Sequence, residues 1–272
     1  MDEVLDSTGQ RRDEVVTRAA ASLRDGEIVV LPTDTFYGVA ADAFNPTGTR
    51  RIFSAKRRPR SFPLPVLVRS PKQLPGICAE IPQQAEHLVA AYWPGPLTIV
   101  LAAQPGLRWD LGDNDGTVAI RMPLDDVTLA IIREVGPLAV TSANLSGKPP
   151  ATTAAAAREQ LGSRVRHYVD DGPRTGGAWS TIVDLTRGTA RVLRAGVVPE
   201  EDALAVAAGD LDPLEAAGRL DDRHPVPDPT DGDDARDHAG HGDPDHGRDN
   251  EPDDGRDDGH HTPEGDGDQP QR

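Results

Sequence analysis

The spacing of apolar and polar residues predicts alternating helices and strands over residues 10–199. Apolar residues three or four positions apart are typical of amphipathic helices, whereas short uninterrupted apolar runs are typical of buried strands. The predicted helices cover residues 10–25, 45–56, 81–93, 125–135 and 152–161, and a shorter one starts at 70. The predicted strands cover residues 28–30, 65–68, 97–101, 117–122, 138–141, 165–169, 181–185 and 191–193. This order indicates an α/β fold with a mixed, twisted sheet.

Charge divides the chain into two parts near residue 200. Residues 1–199 contain 23 basic and 21 acidic residues, whereas residues 200–272 contain 6 and 24. Beyond about Arg219 apolar residues almost disappear, and Asp, Gly, His and Pro recur. Because such a segment cannot bury enough apolar surface to offset the entropy cost of ordering, we expect it to be disordered. We therefore predict one folded domain over residues 1–200 and an acidic tail over residues 201–272.

The cysteine and histidine content argues against disulfides and metal centres. The single cysteine, Cys78, excludes an intrachain disulfide, and its apolar setting favours a buried residue over a nucleophile. Six of the eight histidines lie in the tail, where irregular spacing provides no fixed metal geometry. The chain shows neither a signal-peptide pattern nor an apolar run of about 18 residues. We expect a cytoplasmic protein that does not associate with membranes.

Small polar residues and cations stand at the ends of predicted strands and helices, and these are the candidate functional groups. Thr35 follows the first strand, and Lys56 and Arg58 end the next helix. Six further candidates occupy similar positions: Thr117, Arg121, Ser142, Asn144, Ser180 and Arg194. In an open α/β sheet such ends can line one crevice, and cations beside hydroxyls suit a phosphate ester or a carboxylate. The structural alternative is that the cations complement a helix C-terminus and the threonines form turns.

Familiar catalytic motifs are missing from residues 1–199. Neither GxxxxGK[ST] nor GxGxxG occurs there, and no Ser/His/Asp set or metal-ligand cluster is evident. His87 and His167 stand without obvious partners, so structural roles are favoured for both. The chemistry that remains is the binding of anions by cations and hydroxyl groups.

Six segments, in the same order, resemble the YrdC/Sua5 family of L-threonylcarbamoyladenylate synthases. They cover nearly all of residues 20–200, so the resemblance spans the predicted domain. The segments are PTDTFYGVAADA at 32–43, KRRP at 56–59, WPGPLTIVL at 93–101, TVAIRMP at 117–123, TSANLSGKPPATT at 141–153 and STIVDLTRGTARVLRAG at 180–196. The resemblance implies a YrdC-like twisted open sheet with flanking helices around a large, positively lined cleft. Because the composition after residue 200 is not that of a folded domain, we expect the extra C-terminal domain of Sua5 proteins to be missing here.

Position by position, the resemblance implies two ligand subsites. The positions associated with L-threonine are Thr35, Arg121, Ser142 and Ser180. The positions associated with ATP and the adenylate are Lys56, Arg58, Thr117, Asn144, Thr152 and Arg194. Lys56 and Arg58 are expected to be catalytic and to lie in a solvated cleft. Leu67 and Phe62 depart from the family, which often has His and a polar residue there, and we leave both out of the site.

The resemblance also implies the reaction and its participants. Threonine, bicarbonate or CO2, and ATP would yield threonylcarbamoyl-AMP and pyrophosphate for the tRNA modification N6-threonylcarbamoyladenosine. The carbamate is already an anion, so the displacement needs two anions held close rather than a protein base. Mg2+ would be held mainly through the ATP phosphates, and no protein metal site is expected. Expected partners are tRNA or other RNA and the downstream tRNA threonylcarbamoyl transferase complex.

Three alternatives belong to other classes. A non-catalytic RNA-binding module is disfavoured by the near-neutral charge of residues 1–199. A YciO-like paralogue would share the fold, and the joint presence of Lys56, Arg58, Ser142 and Asn144 favours the synthase. Carbamoyl-transfer domains of hydrogenase maturation proteins occur in longer chains that also carry zinc-finger and acylphosphatase segments. The acidic tail either only aids solubility or competes with ATP for the basic residues of the cleft.

Overall fold

The computed structural model describes residues 2–9, 11–174 and 178–223, which form seven α-helices and one ten-stranded sheet. The helices are α1 (Arg12–Arg24), α2 (Pro46–Lys56), α3 (Gln83–Tyr92), α4 (Asp126–Val135), α5 (Ala154–Leu161), α6 (Glu200–Ala208) and α7 (Pro213–Arg223). The strands are β1 (Glu3–Asp6), β2 (Val29–Leu31), β3 (Gly38–Asp42), β4 (Val66–Leu67), β5 (Leu97–Ala102), β6 (Thr117–Arg121), β7 (Leu138–Ser142), β8 (His167–Asp170), β9 (Thr181–Asp184) and β10 (Arg191–Arg194). Within these ranges every helix is too short or too polar to cross a membrane.

The sheet is mixed, and helices cover both of its faces. Its strands run in the order β1-β8-β2-β3-β7-β4-β6-β5-β9-β10, with parallel pairs such as β5–β9 and antiparallel pairs such as β3–β7. Buried apolar residues form two clusters, one holding residues of α1 and α4 and the other holding residues of α2, α3 and α5. The predicted α/β fold with a large twisted sheet is therefore confirmed.

Helix α2 shows how local sequence directs a cation toward the site. The Asn45 side chain accepts hydrogen bonds from the backbone N–H groups of Thr47 and Gly48, and Pro46 occupies the first helical position. At the other end Arg57 adopts a left-handed conformation with φ of 53°, which ends the helix. Lys56 lies one turn after Ile52 on the buried stripe of α2, so its side chain enters the interior.

Two strands were absent from the sequence prediction. Strand β3 consists of small residues and is not among the predicted strands, but it pairs with β2 on one side and β7 on the other. Strand β1 pairs in parallel with β8, at a separation of more than 160 residues in sequence. Both strands form because neighbouring strands supply their hydrogen-bond partners, an effect that intrinsic strand propensity does not report.

The domain boundary predicted at residue 200 is wrong, because α6 and α7 continue the folded part of the chain. Both helices pack on α3. Ala203, Val206 and Ala207 are buried, three and four positions apart on one face of α6, and Leu211 lies buried in the turn before α7. The acidic composition concealed this apolar face, because α6 begins with three acidic residues, of which Glu200 and Glu201 are exposed. The predicted disorder of residues 224–272 lies outside the described residues.

Candidate functional site

A cleft of about 910 Å³ crosses one face of the curved sheet. Residues two positions apart on the same strand line it, as Thr98 and Val100 do on β5 and Ala119 and Arg121 do on β6. Alternate residues of a strand point to the same face of a sheet. The floor of the cleft is therefore a sheet face, and not the crevice at strand ends that the sequence suggested.

The strand register shows how far apart the candidate residues lie. Ser142 pairs with Gly38, whereas Arg121 pairs with Leu67, and Leu67 pairs with Leu138 at the opposite end of β7. At roughly 3.3 Å per residue, Ser142 and Arg121 are about 13 Å apart along the strand direction. A cleft of this length has room for more than one small ligand.

Lys56, Arg58 and Lys148 form the first group of basic residues along the cleft, and we call it the lysine cluster. Arg58 donates through Nε to the Phe62 carbonyl at 2.7 Å and through a terminal nitrogen to the Pro63 carbonyl at 3.2 Å. Its guanidinium lies 5.8 Å from the centre of the Phe62 ring. The hydrogen-bond acceptors of Arg58 are thus neutral carbonyl oxygens.

Lys56 is the most buried cation of the cleft, with 1% of its surface exposed. Its ammonium donates to the Ser142 carbonyl, to the Asn144 carbonyl at 2.6 Å and to Asn144 Oδ1 at 3.3 Å. Burial, and secondarily the nearby Arg58 guanidinium, lowers the pKa of Lys56 to about 7. The expectation that Lys56 lies at a solvated position is therefore wrong: the side chain anchors the segment after β7.

Arg121 and Arg194 form the second group, which we call the arginine pair. Arg121 is 7% exposed and donates to the Gly95 carbonyl at 2.9 Å and to Thr35 Oγ1 at 3.1 Å. It also forms a buried ion pair with Asp34. One carboxylate therefore already compensates part of the charge of this pair.

Arg194 is fastened to the start of β9. It donates to the Ser180 carbonyl at 2.7 Å and to Ser180 Oγ at 2.9 Å, and its guanidinium lies 5.0 Å from the Trp179 ring centre. Burial, together with the charge of Arg121, lowers the pKa of Arg194. Ser180 Oγ also hydrogen-bonds to Thr98 Oγ1 at 2.9 Å, which fixes the hydroxyl on the cleft floor.

Gly196 permits this arrangement at the end of β10. A Cβ atom at this position would lie 2.2 Å from the Trp179 carbonyl oxygen and 2.5 Å from Thr181 N. The backbone after Arg194 therefore passes directly over residues 179–181, which only glycine allows. The close approach holds Arg194, Trp179 and Ser180 in one layer.

The structure brings nine of the ten predicted site residues to the cleft wall. They are Thr35, Lys56, Arg58, Thr117, Arg121, Ser142, Asn144, Ser180 and Arg194. Thr152 is the exception: it is not part of the cleft wall, and its carbonyl accepts a hydrogen bond from the Arg174 backbone at 2.8 Å. The roles assigned to all ten stay predictions.

Several residues that line the cleft were not selected from the sequence. Phe62 and Leu67, which we left out of the site, both line it, as do Lys148 and Trp179. Trp179 directly precedes Ser180, and Lys148 follows Asn144 by four residues, so proximity in sequence could have indicated both. Five basic residues and no carboxylate occur among the described residues of the cleft lining. The positive electrostatic potential expected for the cleft stays a prediction.

Comparison with known proteins identifies a matching family and several relatives of similar sequence. Residues 21–196 match the family model of the Sua5/YciO/YrdC domain, which is described as "Telomere recombination". A Mycobacterium tuberculosis relative, provisionally named threonylcarbamoyl-AMP synthase, is 46% identical over 205 residues, which cover 74% of this chain and 94% of the relative. A Bacillus subtilis protein named threonylcarbamoyl-AMP synthase is 37% identical over 217 residues, covering 79% of this chain and 62% of the relative.

Solved structures agree with the sequence relatives. Pyrococcus abyssi Sua5 complexed with L-threonine is 34% identical, with a TM-score of 0.71, and the match covers 78% of this chain and 62% of Sua5. Escherichia coli YciO, at 21% identity and a TM-score of 0.65, shares the fold over 75% of this chain and 98% of its own. The family match, the sequence relatives and the shared fold lead to one conclusion: this chain belongs to the Sua5/YciO/YrdC family.

Proposed function

We propose that this chain is an enzyme, an L-threonylcarbamoyladenylate synthase that forms threonylcarbamoyl-AMP and pyrophosphate from L-threonine, bicarbonate-derived CO2 and ATP. One observation carries the proposal: the two groups of cations in the cleft have different partners. In the lysine cluster, Lys56 and Arg58 donate to neutral oxygens, whereas Arg121 of the arginine pair already contacts the Asp34 carboxylate. The names of the relatives and the threonine complex of Pyrococcus abyssi Sua5 support the same activity.

The difference in partners suggests which ligand each group binds. A triphosphate carries several negative charges, so it is best stabilised by cations whose charge no carboxylate compensates. The lysine cluster meets that requirement. A threonine carboxylate carries one charge and suits the planar guanidinium of Arg121, with the hydroxyls of Thr35 and Ser180 nearby. We assign ATP to the lysine cluster and threonine to the arginine pair.

The proposed reaction requires positioning more than proton transfer. The neutral amine of threonine adds to CO2 and gives a carbamate, with one proton released to solvent. A carbamate oxygen then attacks the α-phosphorus of ATP while the bond to pyrophosphate breaks. The attacking group is already an anion, so no general base is needed. The barrier falls when the two anions are held close and the charge that develops on pyrophosphate is neutralised. We assign direct contact with that charge to Arg58, whereas the buried Lys56 ammonium contributes through its charge and not through a hydrogen bond to phosphate.

The lining of the cleft is compatible with Mg2+ that is carried by the nucleotide. Among the described residues no group of three His, Cys, Asp or Glu side chains could hold a metal ion, and the cleft lining contains no carboxylate. Mg2+ prefers oxygen ligands and often binds through phosphates with few protein ligands. We propose that ATP phosphates hold Mg2+ here, where it would offset phosphate charge.

The product defines the next partner in the proposed role. Threonylcarbamoyl-AMP is a mixed anhydride that a second enzyme must consume by transferring the threonylcarbamoyl group to tRNA. We propose cytoplasmic action ahead of such a tRNA threonylcarbamoyl transferase complex. If this chain hands threonylcarbamoyl-AMP directly to the transferase without releasing it, we also propose that the chain contacts tRNA or other RNA.

Product identification tests the proposed function. The full-length protein is incubated with Mg2+, ATP, bicarbonate and L-threonine, and mass spectrometry with a pyrophosphate assay follows the products. We expect threonylcarbamoyl-AMP and pyrophosphate in equal amounts, only when all substrates are present and without any RNA. Equal pyrophosphate release without threonine would contradict the proposal. Absence of turnover, with RNA binding retained, would favour a non-catalytic RNA-binding module or a YciO-like paralogue.

A further inference from the structure

The segment 142–148, between β7 and α5, is tied to the buried Lys56 through both side chain and backbone. A lysine ammonium has three N–H donors. Three acceptors surround that of Lys56, namely the Ser142 carbonyl and both oxygens of Asn144. The Lys56 carbonyl in turn accepts a hydrogen bond from Ser146 N at 3.0 Å. Since no N–H of Lys56 is left over, this side chain cannot donate to a phosphate in the observed arrangement.

The Asn144 side chain connects Lys56 to the backbone of Lys148 through hydrogen bonds. Its Oδ1 accepts from Lys56, and its Nδ2 donates to the Leu145 carbonyl at 2.9 Å and to the Lys148 carbonyl at 2.6 Å. From the other side, Gln160 of α5 accepts a hydrogen bond from Leu145 N at 3.1 Å. The backbone of Lys148 is therefore held by a buried network, although its side chain is exposed.

The Lys148 side chain lines the cleft and forms no ion pair with any side chain that the structure describes. An exposed lysine in a glycine-containing turn usually serves only solubility. Lys148 differs from such a lysine in two ways: hydrogen bonds fix its backbone, and its ammonium, which has no carboxylate partner among the described residues, lines the same cleft as Arg58. We propose that Lys148 is a further nucleotide-binding residue, which contacts the polyphosphate chain of ATP while Lys56 holds the loop that carries it.

This inference rests on the proposed function, and nucleotide affinity tests it directly. Isothermal titration of the full-length protein with MgATP and with AMP is performed on Lys148→Gln, Lys148→Arg and the wild type. Lys72→Gln is the matched control, because Lys72 is exposed and lies outside the cleft lining. We expect Lys148→Gln to weaken MgATP about tenfold, Lys148→Arg less than threefold and Lys72→Gln not at all. The affinity for AMP should stay unchanged, since AMP lacks the polyphosphate chain.

A second measurement uses the wild type alone, because the chain contains only three lysines, at positions 56, 72 and 148. Brief acylation with an amine reagent, followed by mass spectrometry, reports the reactivity of each. Saturating MgATP should slow modification of Lys148 at least fivefold and leave Lys72 unchanged, while the buried Lys56 stays unreactive.

Three results would overturn the inference. The first is equal MgATP affinity of Lys148→Gln and the wild type. The second is that saturating MgATP does not protect Lys148 from acylation. The proposed function would survive both results. If Lys148→Gln lost affinity for MgATP and for AMP equally, Lys148 would not contact the polyphosphate chain. A wild-type protein that binds no MgATP would instead overturn the proposed function together with the inference.

Discussion

The lysine cluster and the arginine pair line one cleft but hold their charges in different ways. Lys56 and Arg58 are surrounded by carbonyl and amide oxygens, which leave the positive charge uncompensated. Arg121 is held by two separate segments, one at Gly95 and the other at Thr35, and the second also supplies the Asp34 carboxylate. The number of cations alone therefore does not describe an anion site, because the partners of each cation determine which anion it can still attract.

The two groups also differ in how they are fixed. Arg121 donates to the Gly95 carbonyl and Arg194 donates to the Ser180 carbonyl, so both guanidinium groups are held in place. In the lysine cluster the Lys56 and Arg58 side chains are also held by hydrogen bonds, whereas the Lys148 side chain is exposed and forms no ion pair with any side chain that the structure describes. The proposed subsites thus combine one rigid carboxylate site with one adaptable phosphate site.

The largest effect is expected from Arg58→Ala in the lysine cluster. Turnover should fall at least about 100-fold, because one charge-assisted contact to the transferring phosphate is lost while the fold is retained. Steady-state pyrophosphate release and the melting temperature measure the two effects. Arg60→Ala is the control, since Arg60 is exposed and paired with Asp110 outside the cleft lining. Near-normal turnover of Arg58→Ala would place the triphosphate elsewhere.

The buried charge of Lys56 should make stability depend on pH. Because the pKa of Lys56 falls to about 7 in the folded protein, the unfolded chain binds one more proton between pH 7 and its ordinary value near 10.5. Wild-type stability should therefore rise with pH in that window, by up to about 1.4 kcal/mol per pH unit relative to Lys56→Met.

Chemical denaturation of the wild type and Lys56→Met between pH 7 and 9 measures this difference. Other titrating groups are common to the two proteins, so their contributions cancel. A difference in unfolding free energy that stays constant over this range would mean that Lys56 keeps its ordinary pKa, and that the three acceptors fully compensate its burial.

A smaller effect is expected from Arg121→Lys in the arginine pair. The KM for threonine should rise about 10- to 30-fold and the affinity for ATP should stay within twofold, because a single ammonium cannot reproduce the bidentate guanidinium contact. Kinetics at saturating ATP measure the change, with Arg191→Lys as the control on an exposed position of β10. An equal rise in the KM values of both substrates would show that the two groups do not bind separate ligands.

The smallest effect is expected from removal of residues 224–272, which leaves α7 complete. The binding of ligands by the two groups of cations should not change. The KM values for ATP and threonine and the melting temperature should therefore stay within error, since we expect the tail only to aid solubility. Kinetics at low and high salt check this. A lower KM for ATP after truncation, seen at low salt alone, would indicate instead that acidic residues compete with the triphosphate.

The sequence allowed most helices to be predicted within a few residues, because caps and apolar spacing are local. Asn45 and Pro46 mark the start of α2 correctly, and Asp125 caps α4 as its position suggests. Prediction failed where the decisive contacts are distant in sequence. Strand β3 exists because β2 and β7 pair with it, and α6 persists because its apolar face reaches α3.

The sequence by itself determined which chemical groups are available: cations and hydroxyls in family segments, without histidine or carboxylate sets for catalysis. Only the tertiary structure decided how those groups are used. Register distributed them along a sheet face, and burial turned Lys56 from a solvated cation into the anchor of segment 142–148. The physical reason is that hydrogen-bond partners and desolvation arise from residues far apart in the chain, which no local pattern encodes.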